Sequence, residues 1–394
     1  MKIKGFSASA VQAGIRYSNR LDLGMIYSDV PAVTAGMFTT NQVKAAPVLL
    51  DMDRLQQGKA QAVLVNSGNA NACTGEEGMK TALATGAMAA EALGIDEKLV
   101  QVASTGGIGE QLDPEPFVNA VPKLVKELSS DGFEDLAQAI MTTDTVPKIS
   151  STTVNIDGTE VKLLGVAKGS GMIMPDMATM LCFVVTDAQI VFTALKEAVR
   201  TGVEQSFNRI TVDGDTSTND MVLVMANGAA QNEWIDEENP DGQAAFAEAL
   251  HRIFKDLALK IVADGEGATK VVTIRVIGAR EKFGAMSAAQ TIANSALVKT
   301  AFFGEDANWG RIIAALGRSD CRMRPERVSI AFDDVVMVKN GQGQGKDVEA
   351  QAAEVLKQEA FTVTVDLHDG AEQAEVFTCD FSYDYVKINA DYRT

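Results

Sequence analysis

The chain has 394 residues, a formal net charge of −18 at pH 7 and a sequence pI of about 4.6. A chain of this length can form two or three units with cores of their own, and its 46% share of hydrophobic residues is typical of a globular protein. The large negative charge disfavours nucleic acid as a partner, because phosphate backbones repel a polyanion.

The N-terminal residues MKIKGFSASAVQAGIRYSNR lack the apolar core of a signal peptide. No later apolar run reaches the length that spans a membrane. The four cysteines, Cys73, Cys182, Cys321 and Cys379, form no C-x-x-C pair, which fits a reducing compartment. We therefore expect a cytoplasmic protein without disulfides.

The first third of the chain predicts short strands around one alanine-rich helix. The helix begins at Thr74, where Glu77 would complete a capping box, and it ends at Gly94. Small and polar residues at 66–71 and 104–109 predict connections, and the second of these can turn backbone N–H groups towards an anion. The predicted strands are 30–38, 48–50, 62–65 and 99–103.

The remaining sequence alternates between helical and strand patterns, which predicts a mixed α/β fold with helices covering sheets. Asp157-Gly158 is a strong two-residue turn signal for a hairpin, and residues 341–345 are the most linker-like segment. The predicted helices are 116–128, 133–141, 190–205, 243–263, 287–300, 311–316 and 347–358. The predicted strands are 154–156, 161–166, 180–185, 210–212, 221–225, 271–276, 327–332, 361–367 and 374–379.

The sequence predicts no metal site. The acidic loop from Asp213 to Asp220 lacks an acidic residue at the closing position of an EF-hand, so we interpret it as an Asx-turn segment. The two histidines, His251 and His368, lie in a helical pattern and in a turn. We interpret both as structural or solvated, which leaves no histidine for a Ser-His-Asp triad.

The stretch KGSGMIMPDMATMLCFVVT, from Lys168 to Thr186, carries the most specific signal. It begins as a glycine loop, which permits backbone conformations closed to other residues, and it ends as a short apolar strand. From its residues alone, it fits either a turn that leads into a buried strand or a reactive threonine at Thr179. A threonine at a new N-terminus can use its own amine as the base that activates its hydroxyl.

The motif KGSGMIMPDMATML resembles the cleavage-site signature of the ornithine acetyltransferase (glutamate N-acetyltransferase) family of arginine biosynthesis. One departure from the family pattern is Gly107, where we expect a branched apolar residue and where glycine would loosen the adjacent turn. Other blocks resemble the family and follow its order over nearly the whole chain: FTTN at 38–41, VKAAP at 43–47, NSGNAN at 66–71, STG at 104–106, TVDGDTSTND at 211–220, ADGEGATK at 263–270, FGEDANWG at 303–310 and NADYRT at 389–394.

The resemblance implies an α/β fold of the layered αββα type with two associated halves. It also implies that the protein cuts its own chain between Ala178 and Thr179. The fragment 1–178 would hold the oxyanion loop and the cleavage loop. The fragment 179–394 would begin with the nucleophile, and its C-terminal tail would dock at the site. The family implies an assembly with two copies of each fragment.

The resemblance further implies transfer of an acetyl group from N2-acetylornithine to glutamate through an acetyl-Thr179 intermediate. Thr105 and Gly106 would stabilise the oxyanion. Lys168 suits a substrate α-carboxylate, and Glu266 suits the ornithine ammonium or a proton relay. No cofactor is implied, although some relatives also accept acetyl-CoA as a co-substrate. The implied substrate site consists of Thr142, Lys168, Thr179, Glu266, Asn389 and Thr394.

Two other functions remain open at this point. An N-terminal-nucleophile amidohydrolase or aminopeptidase would use the same Thr179 but would let water remove the acyl group. A non-enzymatic amino-acid-binding protein would keep the chain intact and Thr179 unmodified. The mass of the protein and the fate of the acetyl group distinguish these functions.

Overall fold

The computed structural model describes residues 1–174 and 180–391. These residues form two compact units. The larger unit contains Met1–Asn208 and Asp215–Ile261. The smaller unit contains Arg209–Gly214 and the chain from Val262 to the last described residue. Both units combine helices with a sheet, which confirms the predicted α/β class.

The described residues contain the following strands and helices in chain order. The strands are β1 (Phe6–Val11), β2 (Leu23–Phe38), β3 (Lys59–Asn69), β4 (Val100–Gly107), β5 (Lys148–Ile156), β6 (Thr159–Lys168), β7 (Leu181–Thr186), β8 (Ile210–Thr211), β9 (Met221–Ala226), β10 (Val271–Ala279), β11 (Ser329–Phe332), β12 (Val335–Lys339), β13 (Gln342–Gly343), β14 (Ala360–Asp366) and β15 (Glu372–Cys379). The helices are α1 (Ala46–Arg54), α2 (Gly75–Leu93), α3 (Glu115–Glu127), α4 (Phe133–Ala139), α5 (Phe192–Gln205), α6 (Pro240–Ala263), α7 (Lys282–Ala293), α8 (Ala296–Phe303), α9 (Trp309–Gly317), α10 (Lys346–Leu356) and α11 (Tyr383–Asp391). Among these helices, none is both long and apolar enough to cross a bilayer.

The sheet of the larger unit has the strand order β4-β3-β2-β9-β7-β6-β5, and β1 also pairs with β2. The pairs β3/β4 and β7/β9 are parallel, and the other pairs are antiparallel. Strand β2 pairs with β1 and β3 along its first half and with β9 along its second, after a register shift. Strand β7, which follows the predicted cleavage site, thus lies inside this sheet.

Side chains alternate between the two faces of a strand. In the larger sheet, both faces are covered by a buried core. In β3, Val63 and Val65 belong to one buried core together with α4 residues such as Leu136. Ala62 and Leu64 belong to a second core, to which α2 and α3 contribute. This two-sided burial explains why β3 reads as a continuous apolar run.

The sheet of the smaller unit has the order β13-β12-β11-β14-β10-β15-β8. Strand β10 pairs in parallel with β14 and antiparallel with β15. Its alternate residues Val272, Ile274 and Val276 share a core with the small residues Ala285 and Ala289 of α7. Alanines on this helix face allow the helix to pack closely on the sheet.

Several sequence predictions are confirmed at residue level. Helix α2 ends at Gly94, whose φ of 69° is the left-handed conformation that glycine adopts easily. Strands β5 and β6 form the predicted hairpin, with positive φ at both Asp157 and Gly158. The hairpin delivers the chain to Lys168.

Other predictions were wrong for local reasons. Residues 48–50, predicted as a strand, lie in helix α1, where Pro47 occupies the first turn that proline tolerates. The predicted helix 287–300 is two helices, because Ser295 accepts a hydrogen bond from Val298 N–H and starts α8. The linker-like segment 341–345 contains strand β13, which pairs with β12.

Thr74 does not form the predicted capping box, since its hydroxyl donates to Asn71 Oδ1 at 2.8 Å. Residues 66–71 and 104–109 are not simple connections either, because β3 continues to Asn69 and β4 to Gly107. The Gly107 carbonyl accepts a hydrogen bond from Ala70 N–H at 3.0 Å. The main chain at Gly107 is therefore held in the sheet, and the turn that we expected glycine to loosen is not at this position.

Gly202→Ala in helix α5 is expected to destabilise the protein. A Cβ at this position would lie 2.8 Å from the Phe254 ring, which packs against Phe207. Overpacking of this kind costs about 1–3 kcal/mol. The matched control is Gly317→Ala in helix α9, where a Cβ would meet nothing within 4 Å. In urea denaturation, the first variant should lose unfolding free energy, and the control should be unchanged or gain up to about 1 kcal/mol. Equal effects would contradict this packing.

Candidate functional site

Lys168 brings three of the predicted site residues together in the larger unit. It is the last residue of β6, and only 3% of its surface is exposed. Its Nζ donates to Thr142 Oγ1 at 2.8 Å and lies 3.4 Å from Thr105 Oγ1. The two hydroxyls come from different parts of the chain, the segment after α4 and the end of β4. These three residues therefore lie together in the larger unit.

Asp144 is the carboxylate of this cluster, and the sequence analysis did not single it out. Its Oδ1 lies 2.7 Å from Lys148 Nζ, and its Oδ2 lies 3.8 Å from Lys168 Nζ. Gly169 N–H donates to Oδ1 at 2.7 Å, and Thr142 N–H donates to Oδ2 at 3.0 Å. The carboxylate thus fixes both lysines and the start of the glycine loop.

The charge of Asp144 is stabilised by its neighbours. Burial alone would raise the pKa of its carboxyl, but the charges of Lys168 and Lys148 and two hydrogen bonds hold the pKa well below its ordinary value. The carboxylate is therefore ionised at neutral pH. Two lysines share it, and Lys168, at 3.8 Å, is the more distant of the two. An ammonium group at this position can bind an anionic group of a ligand.

Gly106 is constrained by the neighbouring strand. Its φ is 135°, and a Cβ would lie 2.3 Å from the Gly68 carbonyl carbon and 2.5 Å from Asn69 N. Only glycine fits this conformation and this approach. The main chain at Thr105 and Gly106 is thus fixed against β3, as an oxyanion-binding backbone requires.

Asn219 and Asp220, at the end of the acidic loop, also belong to this region. The Asn219 side-chain amide donates to the carbonyls of Ala70 at 2.7 Å and Ser104 at 2.8 Å. Asp220 Oδ1 accepts a hydrogen bond from Met180 N–H at 3.0 Å. These two side chains link the acidic loop to the end of β4 and to the start of β7.

Glu266 and Asn389 lie in the smaller unit and contact each other. Asn389 Nδ2 donates to Glu266 Oε2 at 2.7 Å. The loop of Glu266 is held from both sides: Ser382 Oγ donates to Gly267 O at 2.6 Å, and Asp380 accepts hydrogen bonds from Thr269 and Lys270 N–H groups. Helix α11, which carries Asn389, is therefore docked on the loop that carries Glu266.

Three predicted residues, Ala178, Thr179 and Thr394, lie outside the described residues. The described part of the chain contains no group of three or more His, Cys, Asp or Glu side chains arranged to hold a metal ion.

The sequence did not predict Asp144, Lys148, Asp220 and Asp380 as site-forming residues. One signal was available, since Asp144 and Lys148 are four residues apart within a polar segment that precedes a strand. Asp220 and Asp380 gave no comparable signal, because each reaches a backbone that is distant in sequence.

The chain is similar to known proteins over its whole length. Residues 7–394 match the ArgJ family. The chain is 59% identical to the arginine biosynthesis bifunctional protein ArgJ of Desulfotalea psychrophila and 54% identical to that of Geobacter sulfurreducens, in each case over all of both chains. A crystal structure of the argJ protein from Bacillus halodurans matches with 46% identity and a TM-score of 0.51, over 53% of this chain and 98% of the solved chain. The predicted fold type is confirmed by this match.

Asp144→Asn is expected to destabilise the protein in a pH-dependent way. Removing one partner of a buried ion pair typically costs about 3–5 kcal/mol, because an uncompensated charge stays buried. The folded-state pKa of Asp144 lies below its ordinary value of 3.8. Its stabilising contribution is therefore complete above that value and is lost as the pH falls below it.

Urea denaturation at several pH values from 6 to 3 measures this effect. The difference in unfolding free energy between the wild type and Asp144→Asn should be largest near neutral pH and should shrink towards pH 3. A difference that stays constant over this range would show that the Asp144 charge does not stabilise the fold.

Proposed function

Because this chain belongs to the ArgJ family of arginine-biosynthesis enzymes, we propose that it transfers the acetyl group of N2-acetylornithine to glutamate through Thr179. The observation that carries the proposal is the buried Lys168 beside the hydroxyls of Thr142 and Thr105. Both amino acids of the reaction carry an α-carboxylate, so one cationic subsite suits either.

The first step that we propose is self-cleavage. The Thr179 hydroxyl attacks the Ala178 carbonyl carbon, the C–N bond between these residues breaks, and the hydroxyl proton passes to the released Thr179 amine. Water then hydrolyses the resulting ester and leaves the fragments 1–178 and 179–394. The length of the solved relative supports this step, because that chain corresponds to about half of the present one, as expected when the two fragments are separate chains.

The free amine of Thr179 would then serve as the base for catalysis. An α-amine has a pKa of about 7.7–8.0, so a usable fraction is neutral at pH 7. The hydroxyl attacks the acetyl carbonyl carbon, and its proton passes to the amine. The main chain at Thr105 and Gly106 stabilises the oxyanion that forms. The amine returns the proton to the ornithine nitrogen as the amide bond breaks. The glutamate amine then attacks the acetyl-Thr179 ester. The same steps in reverse transfer the acetyl group to glutamate and free the Thr179 hydroxyl.

Substrate recognition is divided among the remaining groups. Lys168 and Thr142 would hold the α-carboxylate, to which an ammonium group donates a charge-assisted hydrogen bond. Glu266, with Asn389 hydrogen-bonded to its carboxylate, would contribute to recognition of the ornithine ammonium. Thr394 would complete the substrate site from the C-terminal tail.

We further propose that acetyl-CoA acts as a second acetyl donor, which would make the enzyme bifunctional. Curated relatives carry the word bifunctional in their names. The same acetyl-Thr179 intermediate would serve both donors, so no further nucleophile is needed. The working assembly that we propose has two copies of each fragment.

Thr179→Ala should remain one chain of 41.9 kDa, because it lacks the hydroxyl that attacks residue 178. Intact mass spectrometry under denaturing conditions measures this result directly. Thr179→Ser is the matched control and should still be cut, since it retains a hydroxyl. A purified Thr179→Ala protein that breaks after residue 178 would assign the cut to a protease.

The acetyl transfer should follow ping-pong kinetics, since ornithine leaves before glutamate enters. Initial rates with acetylornithine and glutamate varied together should give parallel double-reciprocal lines. Incubation with acetylornithine alone should leave an acetyl group on the peptide that begins at Thr179. Intersecting lines with an unmodified Thr179 would indicate direct transfer in a ternary complex. Release of free acetate at the same rate with and without glutamate would favour the hydrolase alternative.

A further inference from the structure

Asp220 lies where three strands of the larger sheet meet. It is the residue before β9, and it is fully buried. Its Oδ1 accepts a hydrogen bond from Met180 N–H at 3.0 Å, and its carbonyl accepts one from Thr39 N–H at 3.0 Å. Met221 N–H in turn donates to Met180 O at 3.1 Å. The Asp220 side chain and the Met221 main chain are therefore both tied to Met180, the residue before β7.

The hydrogen bond from Met180 N–H lies next to the proposed nucleophile, because Met180 follows Thr179 in the chain. The N–H that Asp220 holds belongs to the peptide group that joins these two residues. A peptide group is planar, so a hydrogen bond to its N–H limits rotation of the whole group. The Asp220 side chain thus acts one peptide bond away from the proposed nucleophile.

The surroundings of the Asp220 carboxyl disfavour its ionised form. Burial raises its pKa well above the ordinary value, and the hydrogen bonds from Met180 and Thr39 and the charge of Lys168 oppose this only in part. Its second oxygen, Oδ2, is buried and has no hydrogen-bond partner among the residues that the structure describes. An ionised carboxylate would be poorly stabilised in such surroundings.

We propose that Asp220 is a positioning residue for Thr179, acting through the hydrogen bond that its Oδ1 accepts from the Met180 N–H. The proposal rests on the proposed function, in which Thr179 is the nucleophile for self-cleavage and acetyl transfer. The side chain acts by its shape and its acceptor oxygen. An amide of the same shape can therefore replace it, and an apolar side chain of similar size cannot.

Asp51 provides a matched control within the same unit. It is also fully buried, burial also raises its pKa, and its Oδ1 accepts a hydrogen bond from Val102 N–H at 2.9 Å. Its Oδ2 likewise has no hydrogen-bond partner in the described part of the chain. The N–H that it holds, however, belongs to the middle of β4 and not to the residue after Thr179.

The experiment compares Asp220→Asn, Asp220→Leu, Asp51→Asn and Asp51→Leu in the full-length chain. Four quantities are measured for each protein: the half-time of self-cleavage, kcat and KM for acetylornithine per cleaved molecule, and the thermal midpoint. Asp220→Asn should stay within about threefold of the wild type in cleavage and kcat. Asp220→Leu leaves a buried N–H without an acceptor, and both rates should fall by about tenfold to a hundredfold with KM unchanged.

The control separates positioning from stability. Asp51→Leu should lower the thermal midpoint about as much as Asp220→Leu but should leave kcat of the folded enzyme unchanged. Normal kcat in Asp220→Leu, or an Asp220→Asn variant as slow as Asp220→Leu, would overturn the proposal. The second result would mean that the Asp220 proton or charge takes part directly. If Asp220→Leu does not fold, Asp220→Asn decides alone, and a loss above tenfold overturns the proposal.

The wild type distinguishes this inference from the function on which it rests. A wild-type chain that stays intact and is never acetylated at Thr179 would overturn both. A wild type that is cleaved and acetylated, together with unaffected Asp220 variants, would overturn only the role of Asp220.

Discussion

The described site in the larger unit depends on the hydrogen bonds and ion pairs of the Asp144 carboxylate. It accepts hydrogen bonds from the N–H groups of Thr142 and Gly169, and it balances part of the charge of two buried lysines. Lys148 begins β5, Lys168 ends β6, and Lys148 pairs with Ala167 in the ladder. Asp144 therefore closes the open end of this hairpin. Its charge, 3.8 Å from Lys168 Nζ, offsets part of the cost of burying that ammonium group.

The smaller unit uses a related arrangement. The buried Asp380 accepts hydrogen bonds from the N–H groups of Thr269 and Lys270, and Lys299 donates to the Thr378 hydroxyl at 2.7 Å and to the Cys379 carbonyl. Burial lowers the pKa of Lys299, whose ammonium also lies 4.6 Å from the centre of the Phe381 ring. In each unit, a buried aspartate accepts hydrogen bonds from backbone N–H groups of a loop. The position of Glu266 is thus determined by residues more than a hundred positions later.

The sequence predicted what depends on local pattern and on family motifs. It predicted the α/β class, the β5–β6 hairpin and the end of α2 at Gly94. It also singled out Lys168, Thr142 and Thr105, which lie together in the larger unit. It failed where a local helix signal was overlooked, as at residues 48–50, which follow Pro47 in the first turn of α1. It also failed to identify Asp144, Asp220 and Asp380, because a lone aspartate does not show which distant N–H it will accept. The roles of Thr179, Ala178 and Thr394 remain predictions from resemblance.

The strand order of the larger sheet bears on what the proposed cut would do to the assembly of the protein. Strands β7 and β9 would belong to the second fragment, and they lie between β2 and β6 of the first. The two products would share one continuous hydrogen-bonded sheet and could not separate without breaking it. Unfolding would then release two chains instead of one. Refolding would become a bimolecular reaction, and the thermal midpoint of the mature protein would rise with its concentration. The uncut precursor is a single chain, so this source of concentration dependence would be absent from its thermal midpoint.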